Sequence, residues 1–241
     1  MNKVNFVFYY ADIIKKSEDN KIHEHNKNHI NLFLKSIKTY HPDCKIIQCT
    51  NFNTEVFSDA NEVFRNELDE NKLMEGRIKS YAKLNISEPS IYLDTDMLVM
   101  KKIPFESFID KAEIFLLNRS FDKDKYLPIN FRGQNFENHN KGSLGAIYPY
   151  IGCLIIAKTN EFWKVCSNYY DKLEDKYKFW FGDQEVLKKI VLEKKFKFAF
   201  LQESEFACPP FRIDKTKRPF IIHFKGKNTK NLIEKYYQYV R

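Results

Sequence analysis

Ile91-Tyr92-Leu93-Asp94-Thr95-Asp96 runs three apolar residues straight into two carboxylates spaced i and i+2. The apolar part, opened by Ser90 behind Pro89, reads as a short buried strand. In open α/β sheets, ligands gather beyond the carboxyl ends of the strands. The pattern therefore predicts Asp94 and Asp96 at such an edge. Carboxylates are hard oxygen donors suited to Mg2+ or Mn2+. An ion held there can bridge two phosphates and act as a Lewis acid. Alone, an Asp-x-Asp triplet also reads as a solvated loop; the apolar run in front of it argues against that.

Working outward, the flanking chain alternates between the periods of strand and helix. Upstream, VNFVFYY (4–10) and CKIIQCT (44–50) read as buried strands. Between them His29, Leu32, Phe33, Ile37 and Tyr40 keep a helical period that Pro42 ends. Leu73, Met74, Ile78, Tyr81 and Leu84 form a second helical face before Pro89. Downstream, PFESFIDK (104–111) reads as a short helix, and EIFLL (113–117), YIGCLIIA (150–157), FKFAFL (196–201) and FIIHF (220–224) as strands. Thr159 is placed to cap a helix carrying Phe162, Cys166, Tyr169 and Leu173. Further helices start near Asp183 and at Asn231. Strand–helix alternation predicts parallel strands with helical crossovers. Residues 119–149 are polar and aperiodic, which reads as a functional loop on the acceptor side of a site.

Two further segments carry candidate chemistry. Trp180-Phe181-Gly182-Asp183-Gln184-Glu185 reads either as a capped helix start, with Asp183 at the N-cap, or as Asp183 and Gln184 facing a reaction centre. His223, in Ile221-Ile222-His223-Phe224-Lys225-Gly226-Lys227, is a core histidine or a metal ligand. Gly226 permits close backbone approach to a phosphate, and Lys227 or Lys230 supplies charge.

Composition bounds the class. The 241 residues fit one α/β domain with a sizeable core. Forty Lys and Arg against 32 Asp and Glu leave a net charge of +8, with basic residues gathering after Lys215. That tail is a solvated surface, or it meets anionic membrane or a diphosphate. The five cysteines form no CxxC pair and sit in apolar strings, as expected of thiols in a reducing compartment. MNKVNFVFYYADIIKK lacks a cleavage site after its apolar stretch, and no apolar run is long enough to span a bilayer. A cytoplasmic protein with peripheral membrane contact is expected.

Taken in order, VFYYAD, Arg77, IYLDTD, GDQE and HFKGK resemble the GT-A glycosyltransferases, within them family 8, the glycogenin and lipooligosaccharide-galactosyltransferase type. The resemblance implies a GT-A-like, Rossmann-like mixed α/β sheet flanked by helices, formed by residues 1–241 as a single domain. Residues 1–100 would be its nucleotide-binding half and 101–241 its acceptor-side, metal-completing half. It implies Asp94, Asp96 and His223 as ligands of Mn2+ or Mg2+. Tyr10, Asp12, Arg77, Lys83, Asp94, Gly226 and Lys227 would hold the donor, with Tyr9 an alternative to Tyr10 for stacking on the base. Asp183 and Gln184 would lie beneath the donor sugar as catalytic residues. The implied reaction moves a hexose-type sugar from a UDP-sugar to a glycan or lipid-linked acceptor, without nucleic acid. The chain departs from the family where Tyr150-Ile151-Gly152 replaces the usual Asn-x-Gly, and in lacking Lys-Pro-Trp after Gly226.

Other readings compete. A haloacid-dehalogenase-like phosphatase also uses a strand followed by Asp-x-Asp, but on its first strand. A sugar-nucleotide pyrophosphorylase needs a glycine-rich loop where YYADIIKK has no glycine. A non-catalytic glycan-binding GT-A module would not need all three metal ligands.

Overall fold

The structure is a computed structural model that describes residues 4–12, 20–67, 72–126, 130–131, 134–135, 142–178, 180–214 and 216–240, with residues 20–26, 130–131, 134–135 and 227–228 by backbone alone. The strands are β1 (Asn5–Tyr9), β2 (Lys45–Thr50), β3 (Glu62–Arg65), β4 (Ser90–Leu93), β5 (Met97–Val99), β6 (Ile114–Asn118), β7 (Asn130–Phe131), β8 (Gln134–Asn135), β9 (Tyr150–Ala157), β10 (Phe198–Gln202) and β11 (Ile221–His223). The helices are α1 (Asn20–Tyr40), α2 (Leu73–Lys83), α3 (Leu144–Ile147), α4 (Glu161–Asp171), α5 (Gly182–Leu192), α6 (Glu203–Phe206), α7 (Lys227–Lys230) and α8 (Ile233–Tyr237).

Seven strands form one sheet in the order β10-β6-β9-β4-β1-β2-β3. All neighbours are parallel except β9, which runs antiparallel to β4 and β6. The sheet is therefore mixed, as the sequence implies. Its strands read as continuous apolar runs because both faces are covered. Alternation sends Phe6, Phe8, Ile91 and Leu93 to one face, where they meet Ile30, Phe33, Leu34 and Ile37 of α1. Val7, Ile47, Tyr92 and Ile155 point to the other face, against Ile78 of α2, Phe162 and Trp163 of α4, and Val186, Leu187 and Ile190 of α5.

Several expectations are corrected in detail. The 104–111 segment forms two 3-10 turns rather than a helix. Strands β3 and β5 lie in stretches that read as connections, because they are only four and three residues long. Residues 119–149 are not structureless: they contain the β7–β8 pair and α3. The predicted last helix, from Asn231, is shorter than expected, since α8 covers only Ile233–Tyr237, and the one-turn α7 precedes it. Thr159 does not cap α4; Asn160 stands at the N-cap and spends its amide nitrogen on the carbonyls of Ala82 and Leu84. All five cysteines are free and buried. Among the described residues, no helix is long and apolar enough to cross a membrane.

Candidate active site

The site is built where β4 ends. Asp94 follows the last residue of β4, and its backbone N–H donates to the Cys153 carbonyl at 2.9 Å, which extends the β4–β9 ladder by one step. The chain then turns and enters β5, which pairs antiparallel with β11 in a separate two-stranded sheet. The register opposes His223 to Met97, and Phe224 N donates to Asp96 O at 2.8 Å. Pairing thus carries His223 across more than a hundred residues of chain to Asp96, whose Oδ1 lies 3.3 Å from His223 Nε2. One ligand atom each from Asp94, Asp96 and His223 falls within 4.8 Å of the others. Lys230 Nζ, from the end of α7, approaches Asp96 Oδ2 at 3.2 Å.

A second set of charges lies behind this one. Arg77, on α2, is a fork: Nη1 donates to Asp94 Oδ1 at 2.6 Å and Nη2 to Asp183 Oδ2 at 2.5 Å. The structure corrects the capping reading of Asp183. Phe181 holds the N-cap position of α5, Asp183 is its second helical residue, and its carboxylate goes to Arg77. Gly152 makes room for that pair, since a Cβ there would stand 2.1 Å from Asp183 Oδ2. Beneath the pair, Ile78, Ile155, Trp163, Val186 and Leu187 line a small void, so the ion pair rests on an apolar floor. Gln184, the next residue, accepts a hydrogen bond from Arg119 Nη2 at 2.5 Å.

Arg119 and Glu203 belong to this edge of the sheet and were not singled out in the sequence. Arg119 follows the end of β6, and Glu203 follows the end of β10. Glu203 Oε2 accepts from the backbone N–H groups of Ser120 and Phe121 at 2.7 and 2.9 Å. The available signal was position: each charged residue comes directly after a strand that runs toward the same edge as β4.

The other candidates are distributed unevenly. Tyr10 and Asp12 follow β1 at the same edge. Asp12 N donates to Thr54 Oγ1 at 2.7 Å, and Asn51 orients Thr54 by accepting from its N–H at 2.9 Å. Tyr10 is half-buried and packs edge-on against Phe57, with ring centroids 5.7 Å apart. The Tyr9 hydroxyl is buried and has no hydrogen-bond partner among the described residues. Lys83 is not brought to the cluster: it is the exposed last residue of α2, and its Nζ donates to Asn66. Gly226 has φ +89 with nothing near a Cβ position, so backbone conformation rather than space demands glycine there. The side chain of Lys227 lies outside the described residues.

Charge compensation is divided between the carboxylates. Burial raises the pKa of Asp94 and of Asp183, and Arg77 opposes the rise in both. Burial also works against ionised Asp96, but His223 and Lys230 outweigh it and hold that carboxyl below its usual range. Burial works against a charged His223 too, yet Cys153 and Asp96 raise it well above an ordinary histidine.

This donor set fits a divalent cation. Asp94 and Asp96 side chains remain 33% and 19% exposed, enough to meet a ligand, while His223 at 8% comes from behind. Two carboxylate oxygens with one imidazole suit Mn2+, and Mg2+ less well because of the nitrogen.

No protein-family model and no curated protein matches the sequence. Solved structures do match in fold. The galactosyltransferase LgtC, solved with donor and acceptor sugar analogs, superposes with a TM-score of 0.57 at 12% identity over 98% of this chain and 95% of that one. A glycosyltransferase involved in glycosylation of the major capsid of PBCV-1 gives 0.58 at 14% identity, covering 97% and 99%. The glycosyltransferase GlyE of Streptococcus pneumoniae TIGR4 gives 0.57 at 14% identity, where this whole chain spans 60% of the longer protein. At these identities the likeness establishes a shared fold. The chain has the mixed α/β, GT-A-like architecture of these glycosyltransferases.

Proposed function

We propose that this chain is a glycosyltransferase that binds a nucleotide-diphosphate sugar through a divalent cation and transfers the sugar to a saccharide acceptor. The observation that carries the reading is the convergence of Asp94, Asp96 and His223 at the carboxyl end of β4, in a fold shared with glycosyltransferases. The cation, held by those three residues, would supply Lewis acidity toward a departing diphosphate. Lys230, already 3.2 Å from Asp96, would add positive charge on the same side. Asp94 and Asp183 would face the donor sugar, fixed in place by Arg77. Tyr10, Asp12, Gly226 and Lys227 would line the nucleotide, the base being uracil by family resemblance. Arg77 would reach the donor only through the two carboxylates it already binds.

The acceptor is a glycan or lipid-linked saccharide, met on the side of residues 119–149. The five buried free thiols support action in a reducing, cytoplasmic compartment. The basic residues after Lys215 support a peripheral contact with anionic membrane, which salt should weaken.

The test is thermal unfolding with nucleoside diphosphates and their sugars, with and without Mn2+. A ligand at a hundred times its dissociation constant adds about 2.7 kcal/mol of stability. UDP and one UDP-sugar should raise the midpoint only when Mn2+ is present, and Asp96→Ala should abolish that response. A response that survives in Asp96→Ala would sink the assignment of the metal site. No response to any nucleotide would sink the donor reading.

A further inference from the structure

Gln184 has one end of its amide committed before any substrate arrives. Arg119 Nη2 lies 2.5 Å from Gln184 Oε1. A guanidinium carries donors only, so the amide atom that faces it has to be the oxygen. The Nε2 end, with its two N–H donors, is therefore turned away from Arg119. No described residue accepts a hydrogen bond from it, and it is not among the sealed polar atoms.

Arg119 is itself held on three sides. Its backbone N–H donates to Pro149 O at 2.8 Å and its Nε to Tyr148 O at 2.8 Å. The residue is buried, only 7% exposed. Tyr148 stacks on Phe181 with centroids 5.0 Å apart, and Phe181 immediately precedes α5. Glu203 ties down the next two residues, Ser120 and Phe121. The clamp and the residue it orients thus belong to one rigid unit.

We propose that Arg119 is a positioning residue that fixes the Gln184 amide, so that Gln184 acts as a hydrogen-bond donor, through Nε2, to a hydroxyl or ring oxygen of the transferred sugar. This rests on the reading that the start of α5 faces the donor sugar. It assigns Gln184 a role its oxygen cannot fill: Oε1 is occupied by Arg119 and is not free to approach an electrophilic carbon.

The experiment compares Gln184→Glu, Gln184→Ala, Arg119→Lys and the double variant Arg119→Lys/Gln184→Ala. The readout is release of nucleoside diphosphate from the UDP-sugar that the thermal screen identifies. Glutamate keeps the shape and pairs with Arg119 but has no donor at neutral pH. Its kcat/KM should fall about ten- to a hundredfold, the scale of one lost hydrogen bond at a reacting centre. Arg119→Lys should cost a similar factor alone and less than about twofold beyond Gln184→Ala, because residues that act through one contact are non-additive. Binding of UDP with Mn2+, measured by calorimetry, should persist in every variant.

Wild-type or faster turnover in Gln184→Glu overturns the proposal, since an oxygen would then suffice. An equal penalty for Arg119→Lys with and without Gln184 also overturns it, since Arg119 would then act on its own. If Arg119→Lys does not fold, Gln184→Glu alone decides. A wild type that binds no nucleoside diphosphate instead refutes the donor reading itself, and this inference with it.

Discussion

A methyl group at position 152 would stand 2.1 Å from Asp183 Oδ2 and 3.2 Å from Arg77 Nη2. Gly152→Ala must therefore push the ion pair or bend β9. Overpacking of this kind costs roughly 1–3 kcal/mol, and urea unfolding should show the loss; an unchanged midpoint would refute the packing account. The pair itself is of the type whose rupture is expensive, because removal of Arg77 leaves the buried Asp183 and the partly exposed Asp94 uncompensated. Arg77→Leu should cost roughly 3–5 kcal/mol at neutral pH. Burial already raises Asp94 and Asp183, and without Arg77 both would rise further. A carboxyl whose folded pKa is raised destabilises the fold as it ionises. Part of the loss should thus return on acidification toward pH 4, and stability of this variant against pH reads that directly. The glycine and Arg77 were both visible in the sequence, but nothing in it linked them, because the link passes through Asp183 of a distant helix.

Among the elements, β5 and β11 decide the most with the fewest residues. Three residues each, they set His223 opposite Met97 and so complete the cluster. Their back packs through Leu98, Met100, Ile222 and Phe224 against Ile233 of α8. Leu98→Ala should cost about 2–5 kcal/mol and should also weaken Mn2+-dependent nucleotide binding. Loss of stability without loss of binding would show that the pair does not set the position of His223. At the end of α1, His41 Nε2 accepts the Ile103 N–H at 3.2 Å and its ring lies against Phe6. Burial lowers its pKa to about 4 from an ordinary 6.5. For a histidine with a depressed folded pKa, stability is full above the unfolded value and is lost as pH falls through the folded one. Stability should thus fall between about pH 6.5 and 4 on this account, and His41→Gln should flatten that limb. The long strands were legible because they bury both faces and read as apolar runs. β3 and β5 were not, since three or four residues carry no period; tertiary pairing defines them.

For the molecule as a whole, the carboxylates of the site are already compensated by Arg77, His223 and Lys230. Chelation should leave the fold intact, with the unfolding midpoint in EDTA unchanged in the absence of nucleotide, while it removes the shift that a nucleotide produces. Collapse of the fold on chelation would mean that the cation is structural. The global architecture was accessible from sequence to an unusual depth for a chain only 12–14% identical to the solved structures it matches. What carried the reading was the order of short patterns in this chain: an apolar strand, a carboxylate pair, an Asp-Gln at a helix start, and a histidine at the end of a late strand. Those are local patterns, and local patterns are what a sequence determines by itself: which segments are strands, which helices, and which residues stand where strands end. The tertiary structure alone decided who meets whom. It sent Lys83 to Asn66, joined Asp94 to Asp183 through Arg77, and set Arg119 against Gln184. The physical reason is that such contacts depend on strand order and register between segments far apart in the chain, and each is made by a charge or a small residue that has no period of its own.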